Sequence, residues 1–183
     1  MKCKTLAIAA LFSAAGAQFA SASDGTINFN GELTDQTCTI AVNGTVSPAI
    51  ATVTLPAVSV ASLTVAGQVS GATSFNIELS NCSRVGGTAA AFFEAGGSVD
   101  QFTGNLNNTA GVGGATNVQL QLLDSQTGSQ IQAGNSSQIS ATTRNFISGG
   151  GPTIMPYAVQ YYALGATTAG PVTSSVTYSI DYQ

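Results

Sequence analysis

The sequence contains no histidine and no tryptophan, and only four of its 183 residues are lysine or arginine. Without histidine, neither a Ser-His-Asp nor a Cys-His catalytic arrangement can be built. Both lysines, Lys2 and Lys4, stand at the N-terminus, in a segment that we expect to be removed. A Ser-Lys arrangement is therefore excluded in the exported chain as well.

Paired carboxylates are the remaining catalytic possibility, because two of them can carry out glycosidase chemistry. Glu78 could pair with Glu94 or with Asp100. Glu78, however, alternates with Ile77 and Leu79, which are better candidates for a core. We therefore interpret these carboxylates as solvent-facing charges and expect no catalytic residue, no cofactor and no metal site.

Positive charge is nearly absent from the part of the chain that we expect to be exported. Removing the first 22 residues leaves Arg84 and Arg144 against eight acidic residues, a net charge of −6 (2 − 8). Two isolated cations cannot neutralise a run of phosphates, which excludes nucleic acid as a partner. Binding to an anionic membrane surface is excluded for the same reason.

The N-terminus has the three parts of a secretory signal peptide. Two lysines come first, an apolar stretch follows from Leu6 to Ala17, and Ala20-Ser21-Ala22 forms a cleavage pattern of small residues. The apolar stretch is too short for a permanent membrane anchor. Residues 1–22 are therefore predicted to be a signal peptide, and Cys3 leaves with it.

Two cysteines remain, Cys38 and Cys82, in a chain that is predicted to reach an oxidising compartment. An even pair in an exported protein indicates one disulfide. The alternative, two zinc-binding or redox-active thiols, has little support because no histidine and no CxxC motif accompany them. We expect a disulfide that closes a span of 44 residues (82 − 38).

Alternation of apolar and polar residues predicts an all-β fold. Short alternating segments are separated by turn-forming clusters, and no helical period occurs after the signal peptide, as in a sandwich. The predicted strands are Thr26–Leu33, Cys38–Val42, Ala51–Leu55, Ser74–Leu79, Ala89–Glu94, Val118–Leu123, Met155–Leu164 and the alternating stretch Val172–Tyr182.

The first and last of these strands have the clearest amphipathic faces. They could pair within one chain and close an ordinary sandwich. Alternatively, the first strand of each copy could add to the exposed edge of a neighbouring copy. Composition and periodicity fit both arrangements.

Five motifs follow one another in a fixed order along the exported chain. They are Phe29-Asn-Gly31-Glu-Leu33, Phe75-x-Ile77-x-Leu79-x-x-Cys82, Val118-Gln-Leu-Gln-Leu-Leu-Asp124, Ile154-Met-Pro156-Tyr-x-Val-x-Tyr161 and an alternating strand from Gly170 to Tyr182. With this order and spacing, the chain resembles the major subunits of chaperone-usher fimbriae, especially the type 1 fimbrial pilins. The resemblance covers nearly the whole exported chain.

The resemblance implies an incomplete immunoglobulin-like sandwich with six strands, in which the seventh strand is missing. This domain spans residues 37–183 and follows the signal peptide (1–22) and an N-terminal donor-strand extension (23–36). The last strand then borders an open hydrophobic groove.

The resemblance also implies roles for individual residues. The donor strand of one subunit fills the groove of another, and its groove-facing positions are Ile27, Phe29, Gly31 and Leu33. The acceptor groove, which also binds the chaperone, is formed by Gly170, Val172, Val176, Tyr178, Ile180 and Tyr182. Ser174 departs from this pattern as a small polar residue, and Met155 separates Ile154 from Pro156.

The partners implied by the resemblance are identical or homologous pilin subunits, a periplasmic chaperone and an outer-membrane usher. The chaperone lends a strand to the groove and holds the C-terminal carboxylate, and the next subunit's extension then replaces that strand. The expected location is a cell-surface fimbrium of a Gram-negative bacterium, reached through the periplasm. Alternatives are a minor adaptor, a carbohydrate-binding tip subunit, or a monomer whose own first strand folds back.

Overall fold

The computed structural model describes residues 37–183, and strands form nearly all of its regular structure. One helical turn, α1 (Gln138–Ala141), and a 3-10 turn (Val60–Ser62) are the helical segments of this part. The strands are β1 (Thr39–Val42), β2 (Thr45–Val46), β3 (Val69–Ser80), β4 (Thr88–Phe93), β5 (Leu106–Asn107), β6 (Val118–Asp124), β7 (Gln130–Ile131), β8 (Asn145–Phe146), β9 (Thr153–Ala163) and β10 (Tyr178–Tyr182).

The described strands form two sheets in which neighbouring strands are antiparallel. The larger sheet has the order β2-β1-β3-β9-β6-β5, and β7 also pairs with β6. The smaller sheet has the order β10-β4-β8. The two inner faces enclose one core, to which β3, β4, β6 and β9 all contribute buried side chains.

Six of these strands have four residues or more: β1, β3, β4, β6, β9 and β10. The other four have two residues each. The predicted all-β sandwich is therefore confirmed, and these six longer strands make up most of it.

Two predicted strands need correction. Ala51–Leu55 is not a strand, and the terminal strand begins at Tyr178 rather than at Val172. Both segments keep the alternation of half-buried and exposed residues that predicted them. They are not strands because, in the part of the chain that the structure describes, no strand lies beside them to form a ladder.

Aromatic rings from both sheets meet at the centre of the core. The ring of Phe93 stands edge-on to Tyr157 at 5.3 Å between centroids and edge-on to Phe75 at 6.5 Å. Such edge-to-face pairs add about 0.5–1.5 kcal/mol beyond the burial of their area. The core is therefore fixed from β3, β4 and β9 together.

The disulfide between Cys38 and Cys82 is present. It joins the residue before β1 to the turn after β3, next to the antiparallel pair Thr39 and Ser80. It thus secures β1 at one end of the sandwich.

The predicted signal peptide (1–22) and donor extension (23–36) lie outside the described residues. Among residues 37–183, no helix is long and apolar enough to cross a membrane.

Replacing both Cys38 and Cys82 by alanine should lower the free energy of unfolding by about 4 kcal/mol, because the unfolded chain loses a closed loop of 44 residues. Urea denaturation of the purified subunit measures the change. Reduced wild-type protein is the matched control and should show the same loss. Equal stability of the oxidised and reduced forms would contradict the structural role of this bond.

Candidate functional site

The outer edge of β10 is unpaired among the described residues. Antiparallel pairing with β4 aligns Tyr178 with Phe93 and Tyr182 with Ala89. The carbonyl of Thr177 accepts the N–H of Glu94 at 2.8 Å, so the backbone groups of the odd-numbered residues face β4. Those of the even-numbered residues face the opposite direction, away from any described strand.

The side chains of these even-numbered residues form one wall of a groove. All six are half-buried, whereas most of the residues between them are exposed. The apolar members also pack against the hydrophobic core. The wall consists of Val172, Ser174, Val176, Tyr178, Ile180 and Tyr182.

The opposite wall comes from the segment after β2. Ala51, Val53 and Leu55 are half-buried and pack against the same core, and Thr52 and Thr54 between them are exposed. The two walls approach each other where the Ser47 and Tyr178 hydroxyls lie 3.5 Å apart. We name the space between the two walls the groove.

The groove widens into a cavity of about 510 Å³ at its other end. Leu55 and Val58 line it from one wall and Val172 from the other, with Leu63 and Tyr161 between them. The Tyr161 hydroxyl donates to the carbonyl of Pro56 at 3.2 Å, and burial raises the pKa of Tyr161. The cavity is therefore lined largely by apolar side chains.

Two glycines allow close approaches around this cavity. Gly71 lies in a β-bulge of β3 with φ +67°, and a Cβ there would lie 2.9 Å from the Tyr161 ring. A Cβ at Gly170 would lie 2.5 Å from the carbonyl oxygen of Gly113. Gly170, predicted as a groove residue, lines the cavity and also lets the loop of residues 108–115 contact the chain.

That loop holds the first part of the β10-side wall. The N–H of Ala115 donates to the carbonyl of Pro171 at 3.0 Å, and the N–H of Thr109 donates to that of Thr173 at 2.8 Å. The side chain of Asn108 completes the contact by accepting the N–H of Thr173 at 2.9 Å. The wall is thus ordered on its inner side although residues 172–177 are not a strand.

A second set of contacts holds the far end of β10. Arg144 Nη1 donates to Asp181 Oδ2 at 2.6 Å, and its Nη2 donates to the Asp181 carbonyl at 2.8 Å. Its Nε donates to Thr88 Oγ1 at 3.0 Å. A forked guanidinium can bind several acceptors at once, so Arg144 joins β10 to β4.

Arg144 is itself positioned by a buried carboxylate. Asp124 Oδ2 accepts the N–H of Thr143 at 2.7 Å, and Oδ1 accepts that of Gln126 at 2.8 Å. Burial alone would raise the pKa of Asp124, but these bonds, led by those from Thr143, outweigh it and hold the pKa below its usual value. Asp124 is therefore ionised at neutral pH, and it fixes the residue next to Arg144.

The candidate carboxylates do not form a common site. Glu78 lies on β3 of the larger sheet, and Glu94 accepts a hydrogen bond from Ser179 beside the smaller sheet. Asp100 accepts the N–H groups of Phe102 and Thr103 within its own turn, and these bonds lower its pKa. Within residues 37–183, no three potential ligands cluster to hold a metal ion.

Ser174, the residue that departs from the sequence pattern, has the one buried side-chain polar atom without a hydrogen-bond partner among the described residues. The donor positions Ile27, Phe29, Gly31 and Leu33 lie outside the described residues. The cavity and Arg144 were not predicted, because neither the loop of residues 57–63 nor an isolated arginine has a periodic signal.

The sequence matches the family described as type-1 fimbrial protein, A (FimA) over residues 55–183. The major fimbrial subunit SMF-1 of Stenotrophomonas maltophilia is 44% identical over 165 residues, which cover 89% of this chain and 95% of that protein. The F17 fimbrial protein of Escherichia coli is 41% identical over 180 residues, covering 96% and 97%.

Solved structures agree with the fold. The P pilus rod subunit PapA superimposes with a TM-score of 0.57 at 19% identity, covering 80% of this chain and 99% of that one. A chaperone-usher pilus structure superimposes with a TM-score of 0.52 over 88% of this chain and 96% of its own.

Replacing Arg144 by methionine should loosen β10, because the Asp181 carboxylate and carbonyl and the Thr88 hydroxyl all lose a donor. These contacts are partly solvent-accessible, so we expect the free energy that holds β10 against β4 to fall by about 2 kcal/mol. Amide hydrogen exchange in β10 should accelerate about thirtyfold. Arg144→Lys keeps the positive charge but not the forked guanidinium, so its exchange rate in β10 should lie between those of the wild-type protein and Arg144→Met. Unchanged hydrogen exchange of β10 in Arg144→Met would show that the hydrogen bonds of Arg144 are not needed to hold β10.

Proposed function

Because the chain belongs to the type-1 fimbrial protein A family, we propose that it is a structural subunit of a chaperone-usher fimbria that polymerises by donor-strand exchange. The observation that carries the proposal is the edge of β10, which is unpaired among residues 37–183 and lies beside a groove with two apolar walls. A strand that enters this groove gains ladder hydrogen bonds along β10 and buries its apolar side chains.

The proposed donor is the extension of residues 23–36 from a second copy of the chain. Its residues Ile27, Phe29 and Leu33 alternate as the groove walls do, which suits a strand with one buried face. Gly31 is the small member of that face. A glycine within a strand suits a place where another backbone approaches closely, so we infer that the groove is shallow at this position.

Before assembly, we propose that a periplasmic chaperone occupies the same groove. An apolar groove with an unpaired edge is an aggregation hazard, so the subunit needs a cap from the moment of export. The chaperone also holds the C-terminal carboxylate in this proposal. An outer-membrane usher is the proposed place where a subunit extension replaces the chaperone strand, and the product is a cell-surface fimbrium.

The proposed role needs no catalysis by this chain. The family and the relatives are structural fimbrial proteins, and the acidic residues of the described part are used in local hydrogen bonds or stand apart. Exchange of a poorly fitting strand for a better one can drive assembly without a nucleotide.

Replacing Val176 by aspartate should disable the groove, because an unpaired charge among apolar side chains costs about 3 kcal/mol or more. Subunit levels in the periplasm should fall through misfolding and proteolysis, as measured by immunoblotting. Ser175→Asp is the matched control, since the adjacent side chain is exposed, and its level should stay normal. Normal levels and fibres from Val176→Asp would show that this face is not the groove.

Deleting residues Ser23–Leu33 should leave a subunit that accepts a strand but cannot donate one. Such subunits should bind a synthetic peptide of residues 23–36 in a 1:1 ratio and build no fibres, as seen by native mass spectrometry and electron microscopy. If the protein is instead a monomer whose own first strand folds back, the deletion should unfold it. Full-length fibres from the deletion variant would eliminate strand exchange through this segment.

Gly31→Leu tests the shallow position directly. The added side chain should clash on insertion and reduce fibre assembly at least tenfold, which corresponds to about 1.4 kcal/mol. Asn30→Leu is the control, because its side chain alternates to the other face of the donor strand, and it should assemble normally. Normal fibre assembly by Gly31→Leu would show that the groove is not shallow at this position.

A further inference from the structure

We propose that Ser174 is a specificity-determining residue for strand exchange, because its hydroxyl needs a backbone carbonyl that a glycine in the incoming strand leaves accessible. The inference rests on the proposed function and concerns the donor extension of residues 23–36 from a second copy of the chain. It assigns Gly31 of that extension to the position opposite Ser174. Ser174 thereby selects a donor strand with glycine at this one position and fixes its register.

The hydroxyl oxygen of Ser174 is shielded from water and has no hydrogen-bond partner among the described residues. Such a hydroxyl has lost its hydration without gaining a hydrogen bond, which is unfavourable, and native proteins leave few buried polar groups in this state. Because Ser174 lies in the wall of the groove with apolar residues on the same face, its partner has to come from the segment that fills the groove.

The backbone groups on either side of Ser174 are bonded toward the inside of the domain. The carbonyl of Thr173 accepts the N–H of Thr109 at 2.8 Å and its hydroxyl at 3.0 Å. The hydroxyl of Ser98 donates to the carbonyl of Ser175. Ser174 itself belongs to the even-numbered residues, whose backbone groups face the open edge. A strand that enters there can therefore reach both the backbone groups and the hydroxyl of Ser174.

The shape of the groove indicates the register of the donor strand. Every strand pair of the described part is antiparallel, and we infer the same for the donor, so its last apolar residue, Leu33, lies at the Val172 end. That end opens into the cavity of about 510 Å³, which has room for a leucine side chain. Leu33 opposite Val172 brings Gly31 opposite Ser174 (33 − 2 = 31 and 172 + 2 = 174).

This register places the smallest donor residue beside the hydroxyl that lacks a partner. Opposite residues that exchange two backbone hydrogen bonds have Cα atoms about 5.5 Å apart, and their side chains lie on the same face. An apolar side chain opposite Ser174 would cover the hydroxyl without bonding it. Gly31 leaves its carbonyl oxygen accessible. That oxygen has two lone pairs, so it can accept the N–H and the hydroxyl of Ser174 together.

Two effects of opposite sign distinguish this role from simple packing. In the empty groove, Ser174→Ala removes a buried hydroxyl without a partner, so the free subunit should become more stable. With the donor strand bound, the same substitution removes a hydrogen bond, so the donor should bind more weakly. A side chain that only packs would weaken both the free subunit and the bound one when it is shortened.

The test measures both quantities for the exported chain in dilute solution, with and without Ser174→Ala. Urea denaturation gives the unfolding midpoint of the free subunit, and titration with a synthetic peptide of residues 23–36 gives the dissociation constant. Ser175→Ala is the matched control, because the adjacent serine is exposed. A second peptide, which carries Gly31→Ala, measures whether the hydroxyl recognises the glycine.

We expect Ser174→Ala to bind the first peptide about five- to tenfold more weakly and to unfold at a higher urea concentration, while Ser175→Ala matches the wild-type chain. The second peptide should bind the wild-type chain about tenfold more weakly than the first, and Ser174→Ala only about threefold more weakly.

Unchanged affinity of Ser174→Ala for the first peptide, or a lower urea midpoint, would overturn the role of the hydroxyl. Equal losses with the second peptide in both chains would overturn its pairing with Gly31. Failure of the wild-type chain to bind the first peptide would instead overturn the proposed function, and this inference with it.

Discussion

The backbone groups on the outer edge of β10 are the constraint on which the rest of the described domain depends. Their N–H and C=O groups need partners, yet the side chains beside them are apolar and half-buried. A folded edge of this kind must be held in place before anything pairs with it. Arg144 and Asp124 hold one end, and the loop that carries Asn108 holds the other.

The far edge of the same sheet is closed by side chains. Beyond the short strand β8, the amide of Gln138 accepts the N–H of Phe93 at 2.9 Å and donates to its carbonyl at 3.0 Å. The Tyr157 hydroxyl accepts the N–H of Ala91 at 2.8 Å. A primary amide can thus replace a neighbouring peptide group. Among residues 37–183, the smaller sheet is therefore open along β10 only, which is the edge where the proposed strand addition takes place.

Periodicity predicted the fold well where a strand has neighbours on both sides. β9 buries Thr153, Met155 and Tyr157 but not the residues between them. β6 alternates in residue type from Val118 to Leu122, although nearly all of its residues are buried. Ala51–Leu55 and Val172–Thr177 alternate equally well but are not strands, since alternation records a buried face and not a ladder. Gln138 and Arg144 gave no signal, and Asp124 was noted only as the last residue of a motif, because single polar residues acquire their partners only through the tertiary fold.

In the proposed function, the half-buried walls of the groove provide the driving force for linking one subunit to the next. Apolar area that an ordinary sandwich buries within one chain is left partly exposed here, and each Å² later removed from water contributes about 25 cal/mol. The groove of one copy and the extension of another would share that area, so a link between subunits uses the same forces as the core. The scarcity of charge fits this arrangement: a desolvated charge needs a partner, and Arg144, one of the two described cations, already has its partner within the domain.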